Sequence, residues 1–306
     1  MDYELAIIGA GPAGYAASIY AGRSGIKAVT FDKMGGGGLA MISPNIENYP
    51  GFASVTGAEL MDKMQQQAKQ YADIHFLETV NTISKNKETF TIETSTKSYS
   101  VNAVLLCMGT EYRQLNVPGE KELQGKGVSY CATCDGMFFK DKTVAVVGGG
   151  NTAVIEAIFL QQLGCKEVFL IHRRDQLRAE KIYEKEAMEK GVNILYNSHV
   201  EQIKGTDHVE SLEIHDTASD KQYFKPVDGV FISIGEEPQN KLAMQLGVNL
   251  DDKGFILVDK QQRTNVKGVY AAGDITGGLR QIVTACAEGA LAALSSTEVL
   301  GKQYPY

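Results

Sequence analysis

Cys131 and Cys134 stand with two residues between them in the run CATCDG, the one close cysteine pair in a chain with five cysteines. A structural zinc site would need four ligands, usually a second such pair or spaced histidines. No histidine lies within ten residues of this pair, and Cys107, Cys165 and Cys286 are isolated, so no metal is expected there. The chemistry left is a dithiol that cycles with its disulfide, one thiolate attacking a substrate disulfide through a mixed intermediate. Asp135 follows at once. It reads either as a proton carrier for the leaving thiol or as a first-turn helix carboxylate. Cys107 lies in an apolar run and reads as packing, as do Cys165 and Cys286.

Two glycine turns carry a second kind of chemistry. LAII runs into GAGPAG, with Gly9, Gly11, Pro12, Ala13 and Gly14, then a helical stretch, then a strand-like run (28–31) ending in Asp32. A tight turn needs the first glycine, pyrophosphate approach the second and helix–strand packing the third. The helix N-terminus offers free N–H groups to phosphate, and Asp32 stands where a carboxylate takes ribose hydroxyls. The pattern recurs as TVAVVGGGNTA, with Gly148, Gly150, Asn151, Thr152 and Ala153, and a following strand that ends in His172, Arg173 and Arg174, with Arg178 beyond. An acid repels a 2′-phosphate, whereas arginines bind one. The first turn therefore suits FAD or NAD and the second NADPH, although the arginines also fit a solvated helix start. Hydride from NADPH, a flavin and a disulfide make a two-electron circuit, which gives FAD the first turn.

The elements that must position these groups follow. The fold class is α/β: two Rossmann-like, three-layer ββα dinucleotide-binding domains. Each closes alike, AVLLCMG ending at Gly109 and GVFISIG at Gly235. A further strand, GVYAAGD, ending in Gly273 and Asp274, must complete one of them. Residues 85–100 alternate as a β-hairpin layer does, 192–214 hold similar short strands, and 284–300 are Ala-rich with helical periodicity. The net charge of −7 argues against nucleic acid. No apolar run approaches the ~20 residues of a membrane helix, and the N-terminus lacks a signal-peptide pattern. The isolated cysteines make a reducing cytoplasm the default.

GAGPAG, ENYPG (47–51), CATCDG, GGGNTA, HRRDQLRAEK (172–181) and GVYAAGD with Arg280-Gln281 occur in one order over almost the whole chain. In this the sequence closely resembles the low-molecular-weight thioredoxin reductases. The resemblance implies a discontinuous FAD domain (1–113 and 247–306), completed by GVYAAGD, and an NADPH domain (114–246) inserted into it with the redox pair. It implies that Asp274 meets the flavin ribityl or phosphate region, that Arg280 and Gln281 lie by the isoalloxazine, and that Asn48 belongs to the same site. Cys134 is then the thiol next to the flavin, Cys131 the one that attacks the substrate and Asp135 the acid. The family is homodimeric and reduces thioredoxin. No C-terminal redox tail or N-terminal thioredoxin-like extension is present in the sequence, as in the low-molecular-weight class.

The sequence departs from the family where Gly-Gly-Gln-Leu reads Gly-Gly-Gly-Leu (36–39), where threonines give way to Ala40, Met41 and Ile42, and where Glu-Glu reads Ile155-Glu156. The same residues also fit a reductase with another electron donor, a flavin-dependent dithiol oxidase or a nucleotide-sensing module with a vestigial pair. Because the pair and the nicotinamide turn share one domain, rotation of that domain about 109–118 and 235–240 is expected between half-reactions.

Overall fold

Short runs of continuous apolar residues bounded by glycine make buried parallel strands, and this chain has two sets of them. The structure is a computed structural model that describes residues 2–43 and 45–303. The chain up to Glu111, with the chain from Glu237 onward, forms one compact unit, and Tyr112–Glu236 forms a second, inserted one.

In the discontinuous unit a five-stranded parallel sheet runs Val269–Ala271, Ala103–Leu106, Leu5–Ile8, Ala28–Phe31 and Asp73–His75 in spatial order. GVYAAGD therefore completes the first sheet. The helices Pro12–Arg23 and Ile282–Ser295 pack against each other on this sheet. Their contact is close enough that a Cβ at Gly289 would lie 2.1 Å from the Ala13 carbonyl oxygen. Antiparallel strands Val80–Asn86, Thr89–Thr94 and Ser98–Val101 form a smaller sheet. Its inward residues Ile83, Phe90, Ile92, Tyr99 and Val101 join the core over the main sheet.

The inserted unit repeats the plan. Its parallel sheet runs Val128–Ser129, Gly229–Ser233, Thr143–Gly148, Glu167–Ile171 and Asn193–Leu195. Its antiparallel layer is Ser198–Lys204, Ser211–Asp216 and Lys221–Pro226. In both units the glycine-turn strand occupies the centre, so the turn emerges at the carboxyl end of the sheet, where ligands of such folds bind.

The second boundary falls at Glu236/Glu237, ten residues earlier than the expected 246/247. The helix Lys241–Gln245 explains the shift: Gln245 accepts from the Ile83 N–H at 3.4 Å, and Leu242 and Ala243 enter the same core as Ile83.

Candidate functional site

The first turn is held by its strand and helix. Gly9 donates its N–H to Phe31 O at 2.8 Å. A Cβ on Gly9 would meet Cys107 O at 2.3 Å, and one on Gly14 would meet Gly9 O at 1.9 Å. These two glycines are demanded by packing. Gly11 is different: a Cβ there meets nothing within 4 Å. It caps the helix Pro12–Arg23 in extended conformation and leaves the room that a pyrophosphate would take. Asp32 follows the second strand. Its carboxylate accepts from Ala10 N–H and Met34 N–H, each at 2.8 Å, so it is oriented by backbone before any ribose arrives. The glycine-rich segment beyond it is tied back by Gly37 N–H to Ala10 O at 2.7 Å.

Further candidate residues collect in this unit. Asn48 Nδ2 donates to Gln281 Oε1 at 3.0 Å across 233 residues of sequence. Gln281 also caps the helix Ile282–Ser295 in a reciprocal box with Thr284. Gly273 leads into the turn Asp274–Thr276 and donates its N–H to Glu288 Oε2 at 2.8 Å. Glu288 was not singled out by sequence. Burial pushes its carboxyl upward against that hydrogen bond and one from Thr276. Its one signal is that it is the only acid between 282 and 295 in an otherwise apolar, small-residue helix.

The second turn follows the same plan with different side chains. A Cβ on Gly148 would lie 2.4 Å from Ser233 O, while Gly150 is open within 4 Å like Gly11. His172 occupies the place of Asp32. Its Nδ1 lies 3.0 Å from Gly148 O and carries the proton between them. Burial holds this imidazole below its ordinary pKa, with Arg178 and Arg174 acting in the same direction. A Cβ on Gly149 would fall 2.2 Å from the ring. The middle glycine of GGG therefore exists because His172 fills the space available to Ala10 in the first turn.

Arg173, Arg174 and Arg178 are exposed beyond His172. Their loop is not loose. Arg178 and Ala179 donate backbone N–H to Gly149 O at 2.7 and 3.1 Å. Asn151 and Glu180 exchange two hydrogen bonds, each 2.9 Å. Asn151 thus anchors the arginine loop to the helix Asn151–Gln162, while Thr152 and Ile155 face solvent. An open glycine and three guanidinium groups on an anchored loop fit a phosphorylated dinucleotide.

The redox pair is delivered by the edge strand Val128–Ser129. Cys131 and Cys134 are joined in a disulfide, their Cα atoms 5.3 Å apart, around the short helix Ala132–Asp135. The Cys134 N–H lies 3.2 Å from Cys131 Sγ, and Thr133 Oγ1 lies 3.3 Å from the same sulfur. Ser129 Oγ accepts from Cys131 N–H at 3.1 Å and donates to Asp135 Oδ2 at 2.6 Å. Asp135 Oδ1 is buried with no partner. Burial raises this carboxyl's pKa against the Ser129 hydrogen bond. Cys107, Cys165 and Cys286 are free thiols. Burial raises all three, Cys165 and Cys286 to about 11, so none is a ready nucleophile.

Gly109 and Gly235 stand at the two chain crossings with φ of 66° and 111°. Gln239 N–H reaches Gly109 O and Arg113 N–H reaches Gly235 O, both at 3.0 Å.

The chain is similar to known proteins over almost its whole length. Residues 3–289 match the family model for pyridine nucleotide-disulphide oxidoreductases. The thioredoxin reductase of Listeria monocytogenes is 41% identical over 95% of this chain and 91% of its own. That of Bacillus subtilis is 40% identical over 96% and 93%. The crystal structure of the Streptococcus pyogenes thioredoxin reductase superimposes with a TM-score of 0.93 at 37% identity, covering 98% of both chains. The Giardia duodenalis enzyme gives 0.91 at 34%, covering 98% of this chain and 99% of its own. The chain belongs to the pyridine nucleotide-disulphide oxidoreductase family, within its thioredoxin reductase group.

Proposed function

We propose that this chain transfers electrons from NADPH, through FAD, to the Cys131–Cys134 disulfide and on to thioredoxin. The observation that carries the reading is the disulfide itself. It sits at the carboxyl end of a sheet whose central strand ends in a nicotinamide-type turn, beside a buried acid. Gly9, Gly11, Gly14 and Asp32 would hold the FAD adenosine and pyrophosphate, with Asn48, Gly273, Asp274, Arg280 and Gln281 toward the flavin. Gly148, Gly150, His172 and the three arginines would hold NADPH. Bound there, the pair of coenzymes supplies a hydride donor and a carrier that delivers two electrons to a disulfide.

The protein's own residues do the rest. Opening the Cys131–Cys134 bond takes two electrons and leaves two thiolates, of which one is protonated. Asp135 supplies that proton, to Cys134. Cys131 remains the better thiolate, because the Cys134 N–H and the Thr133 hydroxyl surround its sulfur. It attacks one sulfur of the thioredoxin disulfide and displaces the other as a thiolate. Cys134 then gives its proton back to Asp135 and attacks Cys131, expelling the second thioredoxin sulfur as a thiolate and restoring the internal bond, and the two thioredoxin thiolates take their protons from solvent.

The disulfide and the nicotinamide turn both belong to Tyr112–Glu236, yet both must reach one flavin ring. The reading therefore includes alternation of this unit about 109–118 and 235–240. A cross-link that locks the two units should leave one half-reaction alive, and full turnover under the lock would contradict alternation. The proposal also includes a homodimer working in a reducing cytoplasm. No helix among the described residues is long and apolar enough to cross a membrane. The activity is tested by steady-state assay with thioredoxin. Reduction with NADPH that greatly exceeds reduction with NADH supports the reading, and no reduction with either nucleotide in flavin-loaded protein overturns it.

A further inference from the structure

The antiparallel layer of the inserted unit carries a cluster that the redox circuit does not use. His199 and His215 are directly opposite each other on neighbouring strands. Their rings meet at 5.1 Å between centroids. Alternation along the strand would also put Glu201 on this face, but the ladder is interrupted between Val200 and Gln202. Such a bulge re-aims the side chain it carries. Here it brings Glu201 Oε1 to 2.7 Å from His199 Nε2 and 3.7 Å from His215 Nδ1. One ligand atom from each of the three residues lies within 4.8 Å of the others.

The remaining nitrogen of His215 is also engaged. Nε2 is 2.9 Å from Asp220 Oδ1. A carboxylate on one imidazole nitrogen fixes the proton there and leaves the other nitrogen as a free donor, the arrangement found behind metal-bound histidines. The proton on Nε2 leaves the Nδ1 lone pair directed toward Glu201. We infer that His199, Glu201 and His215 form a site for a borderline divalent transition ion of the zinc type, with Asp220 orienting His215.

Two imidazoles and one carboxylate suit zinc, nickel or copper, and do not suit calcium or magnesium, which take oxygen ligands. Zinc bonds to nitrogen and oxygen at about 2.0–2.2 Å, so tetrahedral ligand atoms stand about 3.3 Å apart. The spacings here bracket that value, and small side-chain rotations bring the three atoms onto one ion, which replaces the proton shared by His199 and Glu201. His199 and Glu201 are 39% and 42% exposed, so the ion enters freely and water completes its shell. The three ligands come from two strands, so the ion would clip Ser198–Lys204 to Ser211–Asp216.

The test is zinc binding to flavin-loaded protein with Cys131–Cys134 kept oxidised, measured by competition with a chromophoric chelator. The expected result is one zinc equivalent that is lost in both His199→Ala and His215→Ala. Asp220→Asn should weaken it about 10- to 100-fold without removing a ligand. Cobalt at the same site should give a visible spectrum of nitrogen and oxygen ligation that Glu201→Gln alters. Circular dichroism of each variant separates loss of ligand from loss of fold. Zinc binding of equal stoichiometry and affinity in a folded His199→Ala/His215→Ala double variant would overturn the inference, as would no binding by the parent protein.

Discussion

The two units share one frame and differ at its edges. Each has a central strand ending in a glycine turn, one open glycine in that turn and a second strand beside it. The loop after that second strand is tied to the middle residue of the turn, Ala10 in one unit and Gly149 in the other. What differs is the residue after the second strand and the cargo of the outermost strand. Asp32 offers a carboxylate already set by two backbone N–H groups, where His172 offers a neutral ring followed by arginines. Val269–Ala271 leads to Gly273 and Asp274, and its counterpart Val128–Ser129 leads to Cys131. The backbone frame is common to both units, so on the proposed reading a few side chains at strand ends decide which dinucleotide each unit takes.

The largest effect expected from breaking this comparison is at the edge-strand cargo. Cys131→Ser and Cys134→Ser should each abolish thioredoxin reduction and leave NADPH-dependent flavin reduction intact. Loss of flavin reduction in both variants would assign the pair a structural role. Arg173→Ala with Arg174→Ala should make the strand end of the inserted unit indifferent to a 2′-phosphate. Two charge-assisted bonds are worth ~3–6 kcal/mol, so the ratio of kcat/KM for NADPH over NADH should fall by roughly two to four orders of magnitude. An unchanged ratio would mean the arginines do not read the coenzyme.

Gly149→Ala probes the reason the two turns differ. The added Cβ meets the His172 ring, and overpacking of this kind costs about 1–3 kcal/mol. In His172→Ala the same change should cost much less, giving a coupling of about 0.5–3 kcal/mol in denaturant unfolding. Additive costs would show that the ring does not dictate the glycine.

The smallest effect concerns Asp135. Burial raises its pKa above the ordinary 3.8, so the native state holds a proton that the unfolded chain has released. Stability is therefore lost as pH rises from the ordinary carboxylate range through the raised value. Asp135→Asn should remove that slope, and its stability relative to the parent should grow with pH across this window and then level off. A difference independent of pH would contradict a raised carboxyl.

Much of this was legible in sequence because the signals are local. Gly9, Gly11, Gly14, Gly148, Gly150 and Cys131-x-x-Cys134 are short motifs whose spacing is their chemistry. The first sheet's last strand was legible only as a strand, since GVYAAGD says nothing about its neighbour, and the resemblance placed it where the ladder with Ala103–Leu106 lies. The two-residue strand Val128–Ser129 is too short to show a period. Asn151–Glu180, Asn48–Gln281 and Gly273–Glu288 each join residues that only the fold brings together. The boundary at 236/237 depends on which core Leu242 and Ala243 enter. His199, Glu201 and His215 read as scattered polar positions until strand register and a bulge gather them.

The central claim is that electrons enter at the arginine-bearing turn and leave through Cys131–Cys134. It is tested most directly by anaerobic addition of NADPH to flavin-loaded, oxidised protein, following visible absorbance and alkylation of the two thiols, with oxidised thioredoxin added last. The account predicts bleaching of the flavin, labelling of Cys131 and Cys134, and recovery of colour when thioredoxin is added. A flavin that bleaches while both cysteines stay resistant to alkylation would contradict it.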